Sequence, residues 1–408
     1  MFGKLINQNS LKFYFSCIVL LCSTLLTGCQ PKSSIPTKQQ EHAQDGAFAA
    51  DVSHSGKYAI VSSLYHGVSL WDLESNGLKF NWYQTPAEQE FSLFDDNDPQ
   101  ATADNNFVSA LDIAHDDSHA VLADKHSFSL WDMTTGENKG YWLAKQSKVK
   151  YRRNHNPRID YSSMYDVIDA NKCVDPDEAA GEVCEVTADI RVVAISNFGN
   201  HILLGKSNGE VVHISINSGR RIEFLGHQQV VFDDNGDSFH LNNAINSVDI
   251  SPNGAFALSG SSDHSAYLWD TRNGQVIYKF QHAARVVLVA LDPKGRYAFT
   301  SDSKKQATIW DLKTGKAVSN LDITGRQEIF TTARFSSNGL HLVTGAPTRE
   351  LTMWNVRNGK QRKQWMVTAR KNSRPASAVV YSATFINNDS QIISESSSGL
   401  NEVWDIRP

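Results

Sequence analysis

The chain has 408 residues, 40% of them hydrophobic and 20% charged, which is enough apolar material for a packed core and excludes wholesale disorder. Thirty-nine Lys and Arg against 44 Asp and Glu leave a net charge of −5, which excludes a generally basic nucleic-acid binder. A mean hydropathy of −0.38 excludes a multispan membrane protein.

The first element in chain order is a targeting segment. Lys4 and Lys12 give it a positive start, and residues 13–26 carry no charge. A spanning helix needs about 20 apolar residues, so this run has the length of a signal h-region. It ends in Leu26-Thr27-Gly28-Cys29, which resembles the bacterial lipoprotein signal, where the Cys thiol receives a diacylglyceryl group and cleavage makes that Cys the N-terminus. The resemblance implies a signal peptide over 1–28, acylation of Cys29, and a lipidated tether over 29–45. An ordinary secretory signal or an uncleaved anchor is the competing reading. Removal of Lys4 and Lys12 takes the charge to −7, so acyl chains rather than electrostatic attraction are expected to hold the protein at the membrane. Gln30 after the Cys, in place of Asp, resembles lipoproteins sent to the outer membrane of Gram-negative bacteria, so the expected location is the cell envelope.

Beyond the tether, Trp-Asp recurs at Trp71-Asp72, Trp131-Asp132, Trp269-Asp270, Trp310-Asp311 and Trp404-Asp405, with Trp354-Asn355 a near match. Six of the nine tryptophans therefore share one phase of a repeat. Each is preceded by an alternating segment, a polar turn, a small-residue segment and a second turn. The fourth copy runs Ile245–Ile250, the turn Ser251-Pro252-Asn253-Gly254, 255–261, a turn around Asp263, 266–270, a turn at Asn273-Gly274, and a last alternating run over 275–280. Short period-2 runs between turn clusters are antiparallel strands joined as hairpins, so four strands make one unit. A further copy over 190–215 keeps the order with Ile214 where Trp is expected.

These residues resemble the WD-repeat β-propeller family over about 46–408. The resemblance implies an all-β fold, a seven-bladed propeller of four-stranded antiparallel blades, in which stacking buries faces that no single blade can bury. In that family a Trp on the third strand, a Ser or Thr on the second, an Asp in the turn between them and a preceding His form a buried hydrogen-bond network. The fourth repeat offers Trp269, Ser259, Asp263 and either His240 or His227. The other turns hold Tyr65, Lys125, Asn208, Lys304, Thr348 or Ser398, so the network is not expected there. Trp82 and Trp142 fall outside the Trp-Asp phase and are expected to tolerate replacement better than Trp310, which is expected to be buried between blades. The last blade ends after its third strand, so a segment within 36–44 is expected to close the ring as a polar outer strand.

Three long links join blades, at about 85–106, 146–188 and 227–243, and hairpin parity places all three at one end of the ring. Residues 145–158 carry six basic residues and 166–185 carry seven acids; adjacent opposite blocks can satisfy one another. Cys173 and Cys184, the two thiols left once Cys17, Cys22 and Cys29 are accounted for, are expected to form a disulfide in the oxidising envelope. Zinc is the rival, but it wants four N or S ligands and no His lies between them. The third link reads as a hairpin about Asn235-Gly236; its Asp233, Asp234 and Asp237 lack the spacing of a calcium loop.

No nucleophile elbow, His-rich metal spacing or Gly-rich phosphate loop is present in the sequence. His54, His115 and His119 sit singly at turns, where solvation is the default. The expected function is a non-catalytic scaffold binding envelope proteins, with no cofactor, metal or nucleic acid. The alternative is a periplasmic propeller enzyme, either a quinone-cofactor dehydrogenase or a lactonase-like hydrolase, whose site would assemble from distant blades. Partner contacts are expected on the link-bearing face, with Phe91, Phe94, Tyr151, Arg152, Arg153, Tyr161, Tyr165 and Phe232 as anchors, since aromatic and Arg side chains dominate hot spots.

Overall fold

The computed structural model describes residues 35–63, 67–83, 108–144, 148–152, 183–232, 238–240, 243–324, 329–370 and 376–406; for 148–152, 183–187, 230–232 and 238–240 it describes the backbone alone. Seven four-stranded antiparallel sheets make the seven blades, and two further hairpins lie in the links between them. Strands are lettered a to d from the axis outward. The a strands are Ala49–Val52, Ala110–Ile113, Ile190–Ile195, Ile245–Ile250, Val286–Leu291, Thr332–Phe335 and Val380–Ile386.

The strands form because both faces of a blade are covered by its neighbours, so a and b strands are apolar or small on both sides, whereas d strands alternate with exposed residues. In blades 3, 4 and 6 the next blade approaches so closely that one position of strand b is glycine; the same position holds Ser62, Ala123, Ser301 and Glu395 in the other blades. A Cβ at Gly205, Gly260 or Gly345 would stand 2.5–2.7 Å from a side-chain atom of Ile245, Val286 or Val380, the first residue of the next a strand.

The Trp-Asp tryptophans occupy one register on strand c. Trp71, Trp131, Trp269 and Trp310 pair across the ladder with Ala59, Ala120, Ala257 and Ala298, while Trp354 and Trp404 pair with Leu342 and Ile392. Their burial is uneven. Trp131, Trp269, Trp354 and Trp404 are buried, but Trp71 and Trp310 are half-buried.

The expectation for Trp82 is corrected here. Trp82 is 2% exposed, and it belongs to a second aromatic register on strand d, shared with Trp142, Phe224, Phe280 and Trp365, which pair with Val68, Phe128, Val211, Ala266 and Leu351. These rings bridge blades. Trp82 stacks on Trp131 at 5.2 Å, Phe224 on Trp269 at 4.8 Å and Phe280 on Trp310 at 4.5 Å, each pairing strand d of one blade with strand c of the next. Trp142 is half-buried and stacks on Phe128 within its own blade.

Ring closure uses the N-terminal segment. Strand β1 (Lys38–Glu41) is strand d of blade 7, antiparallel to Leu400–Asp405, with Lys38 opposite Val403 and Glu41 opposite Leu400. Gln39 Nε2 donates to Glu402 Oε1 at 2.9 Å, and the same buried carboxylate accepts from Thr368 N and Oγ1. Just beyond the strand, buried His42 pairs through Nδ1 with buried Glu395 of blade 7 and stacks on Trp71 of blade 1 at 4.5 Å. His42 thus stacks on the Trp of the next blade, as Trp82, Phe224 and Phe280 do at three other junctions.

Candidate functional site

Two regions of the ring gather functional groups: the axial channel and the end that carries the links. The channel is lined by one register of the a strands, read from the residues opposite Ile60, Val121, Leu203, Leu258, Phe299, Val343 and Ile393. Around the axis this register holds Asp51, Asp112, Ala194, Asp249, Ala290, Arg334 and Thr384. In the sequence the three acids stand at one place, each between two small or apolar residues at the end of strand a, a signal legible in Ala50-Asp51-Val52, Leu111-Asp112-Ile113 and Val248-Asp249-Ile250.

Each carboxylate reaches the next a strand around the axis. Asp51 Oδ2 accepts from Ile113 N at 3.2 Å, Asp112 Oδ2 from Ile195 N at 2.9 Å, and Asp249 Oδ2 from Leu291 N at 2.6 Å. Arg334 crosses the channel and donates through Nη2 to Asp51 Oδ1 at 2.6 Å, and through Nη1 to the Val52 carbonyl. Ser382 Oγ shares the same Asp51 oxygen at 2.7 Å. Burial pushes Asp112 well above the usual carboxylate range, reinforced by the charge of Asp51 and opposed by Arg334. Burial likewise raises Asp249 to about 6, against the backbone N–H groups it accepts from.

His54 and His115, in the a–b turns of blades 1 and 2, do not sit singly in solvent as expected. Their rings lie 3.6 Å apart, centroid to centroid. Burial, with the Arg334 cation adding, holds His54 well below its ordinary value and His115 at about 4, so both are neutral at pH 7. His119 stands apart from them, half-buried, with Nδ1 against Ser118 Oγ at 2.9 Å. Among the described residues no group of three His, Cys, Asp or Glu is arranged to hold a metal ion. A pocket of about 490 Å³ lies away from the axis, at the seam of blades 7 and 1, lined by Glu41, His42, Gln44, Ser69, Trp71, Leu78 and Asn81.

The buried network expected in blade 4 selects His227: its Nδ1 meets Asp263 Oδ2 at 2.9 Å and its Nε2 meets Ser259 Oγ at 2.8 Å, while His240 belongs to a link hairpin. Trp269 Nε1 makes no hydrogen bond. The expectation that other blades lack the network is corrected in blade 5. There Thr300 Oγ1 accepts from Trp310 Nε1 and meets His282 Nε2, both at 2.8 Å, with Asp302 Oδ2 3.6 Å from His282 Nδ1. The acid stands at the end of strand b rather than in the turn, which is why inspection of Lys304 missed it. Blade 6 keeps a shorter version, Trp354 to Thr344, whereas in blade 2 Trp131 bonds Ser129 of its own strand c.

At the other site, the b–c turns and the blade-to-blade links share one end of the ring. The second link forms a hairpin, Lys148–Arg152 against Val183–Thr187, with Lys150 opposite Glu185 and Tyr151 opposite Cys184. The third forms Val230–Phe232 against Ser238–His240. The two hairpins lie side by side, so consecutive links build one continuous surface. Of the expected anchors, Tyr151, Arg152 and Phe232 are on these hairpins. Phe91, Phe94, Arg153, Tyr161 and Tyr165 lie outside the described residues, as do Cys29 and Cys173, and of Cys184 only the backbone is described.

The geometry defines an all-β, seven-bladed propeller. The family described as WD40: WD domain, G-beta repeat matches residues 235–270, from the third-link hairpin through strand c of blade 4. None of the curated proteins matches the chain. Propellers of the WD40 type commonly serve as protein-interaction scaffolds and are typically non-catalytic.

Proposed function

We propose that this protein is a lipid-anchored scaffold of the cell envelope, non-catalytic, that binds envelope proteins through the link-bearing end of the ring. The observation that carries this reading is the adjacency of the two link hairpins on a closed, rigid ring: long links concentrated at one end separate recognition from stability. Acylation of Cys29 supplies the anchor, and a Cys173–Cys184 disulfide closes the second link. Among the described residues, the channel cluster is the feature that a propeller enzyme would use. Each of its carboxylates is already engaged by a backbone N–H of the neighbouring a strand, so holding the ring together accounts for it.

The test is crosslinking in cells followed by mass spectrometry. A variant in which a short Gly-Ser turn replaces 153–182, keeping the Lys148–Arg152 and Val183–Thr187 hairpin, should fold and lose crosslinks. Retention of every crosslink by the folded variant would remove the second link from the recognition surface. Cys29→Ser should abolish acylation and release the protein from the membrane fraction.

A further inference from the structure

We infer that the anchored propeller stands with its a–b and c–d turns toward the bilayer and its link-bearing end turned away. The inference rests on acylation of Cys29 as proposed above, and its geometry comes from the ring closure. In every blade strand d runs from the c–d turn to the link, so it begins at the end of the ring opposite the links. Strand β1 obeys the same direction in blade 7. Lys38 pairs with Val403, near the end of strand c, and Glu41 with Leu400 at its start. Thr37 N and Oγ1 both donate to the Val403 carbonyl, at 2.7 and 3.0 Å. Lys38 Nζ donates at 3.0 Å to the carbonyl of Leu73, which opens the c–d turn of blade 1. The chain therefore reaches the ring at the turn end, and it is pinned there by bonds to two blades.

Cys29 precedes Lys38 by nine residues, a span of at most about 30 Å when fully extended. A tether that had to place the link-bearing end against the bilayer would run back along the outside of blade 7. A strand of six residues is about 20 Å long, so this return would consume most of its reach. With the turn end toward the bilayer no return is needed. The same end displays Phe198 and Leu340, 67% and 60% exposed, at the a–b turns of blades 3 and 6. Phe198 is held outward at a φ of 58° by its N–H bond to Asp116 Oδ2. Exposed cations gather there in the c–d turns of blades 4 to 6, at Arg272, Lys313, Lys316, Arg357 and Lys360; Arg272 is paired with Asp270. Blades 1 and 2 present Asp72, Glu74, Asp116, Asp117 and Glu137 against Lys57 and Lys139, whereas in blades 4 to 6 Asp270, Asp292 and Asp311 are outnumbered by these cations with Lys294 and Arg296, so charge favours blades 4 to 6 as the part nearest anionic headgroups. The face left free is the one carrying the adjacent link hairpins, which the proposed partners need.

The experiment uses the full acylated protein reconstituted in phosphatidylethanolamine–phosphatidylglycerol vesicles containing an acceptor dye in the bilayer. A fluorescent amino acid replaces either Asn273, exposed in the c–d turn of blade 4, or Lys304, exposed in the b–c turn of blade 5. The two sites lie at opposite ends of a strand about 20 Å long, so energy transfer should be roughly twofold or more higher from position 273. Acylated, vesicle-bound protein with equal transfer from both positions, or more from 304, overturns the orientation while leaving the anchor in place. Absence of acyl mass on Cys29 removes the anchor, and the orientation with it. Loss of transfer from both positions in Cys29→Ser checks that the signal reports the anchored state.

Discussion

Blades 3 and 4 are neighbours with the same strand order, yet they hold their layers together by different means. In blade 4, Trp269 stands opposite Ala257, Ser259 Oγ meets His227 Nε2, and Ser261 and Ser265 flank the b–c turn. The equivalent positions of blade 3, read from the ladder, are Ile214 opposite Ile202, then Leu204, Lys206 and Glu210. A large ring against a small residue has become two residues of middle size, the volume-conserving exchange that cores tolerate best. The two serines have become an ion pair, Lys206 Nζ to Glu210 Oε2 at 2.9 Å, with side chains 1% and 7% exposed. The register changes too. Blades 1, 2, 4, 5 and 6 place an extra residue in strand d beside the Trp, whereas the ladder between Val211–Ser215 and Arg221–Phe224 is unbroken. The strand-d aromatic accordingly follows Trp269 by eleven positions, at Phe280, but follows Ile214 by ten, at Phe224. In blade 7 strand d comes from the other end of the chain, and its ladder on strand c runs from Lys38 opposite Val403 to Glu41 opposite Leu400, short of Trp404. The Trp therefore accompanies the bulge in five blades, and blade 3, which lacks it, keeps a straight ladder.

The sharpest break of this comparison is at the aligned core residues. Trp269→Ala should cost about 3–5 kcal/mol, since it removes a fully buried ring stacked on Phe224. Half-buried Ile214 should cost about 2 kcal/mol on replacement by Ala, the low end for its class. Denaturant unfolding of both variants measures this, and equal losses would mean that blade 3 does not replace the ring by distributed packing.

The ion pair separates the blades in a second way. Lys206→Met should destabilise by about 3–5 kcal/mol because Glu210 is left buried, with Arg221 at 3.7 Å its remaining cation. The double variant Lys206→Met, Glu210→Leu should recover most of that loss, because a well-packed apolar pair removes the desolvation cost with the charge. A double variant no more stable than the single would show that blade 3 depends on the pair itself.

The smallest effects are pH-dependent and of opposite sign in the two blades. His213 of blade 3 is pushed down from 6.5 to about 4 by burial, with His201 and Arg220 adding. Its fold favours the neutral ring, so the stability it contributes is full above about 6.5 and is lost as pH falls through about 4. His213→Leu, which copies Leu268 of blade 4, should flatten the loss of stability on acidification. Asp249 of blade 4, raised from 3.8 to about 6, favours its protonated form, so its contribution is present below about 3.8 and is lost as pH rises through about 6. Asp249→Ala, which copies Ala194 of blade 3, should remove that slope. Thermal unfolding across pH 4 to 7 reads both, and unchanged slopes would show that neither group titrates as its surroundings dictate.

Much of the architecture was legible in the sequence, because it depends on local chemistry. Period-2 runs, Asn-Gly and Asp turns, and six tryptophans in phase determined strands, blade count and the positions of the links, and the polar run Lys38-Gln39-Gln40-Glu41 was readable as an outer strand. What escaped were contacts set by depth across blades. Trp82 reads as a residue outside the repeat until strand d of blade 1 is laid against Trp131. Thr300 and Asp302 read as strand residues until His282 arrives from the preceding blade. Asp51, Asp112 and Asp249 share a place in their repeats, but only closure of the ring brings Arg334 across the channel to Asp51. Alternation and turn type are fixed within ten residues of chain, whereas radial packing is decided by which side chains meet at equal distance from the axis. That distance exists only once seven blades have closed.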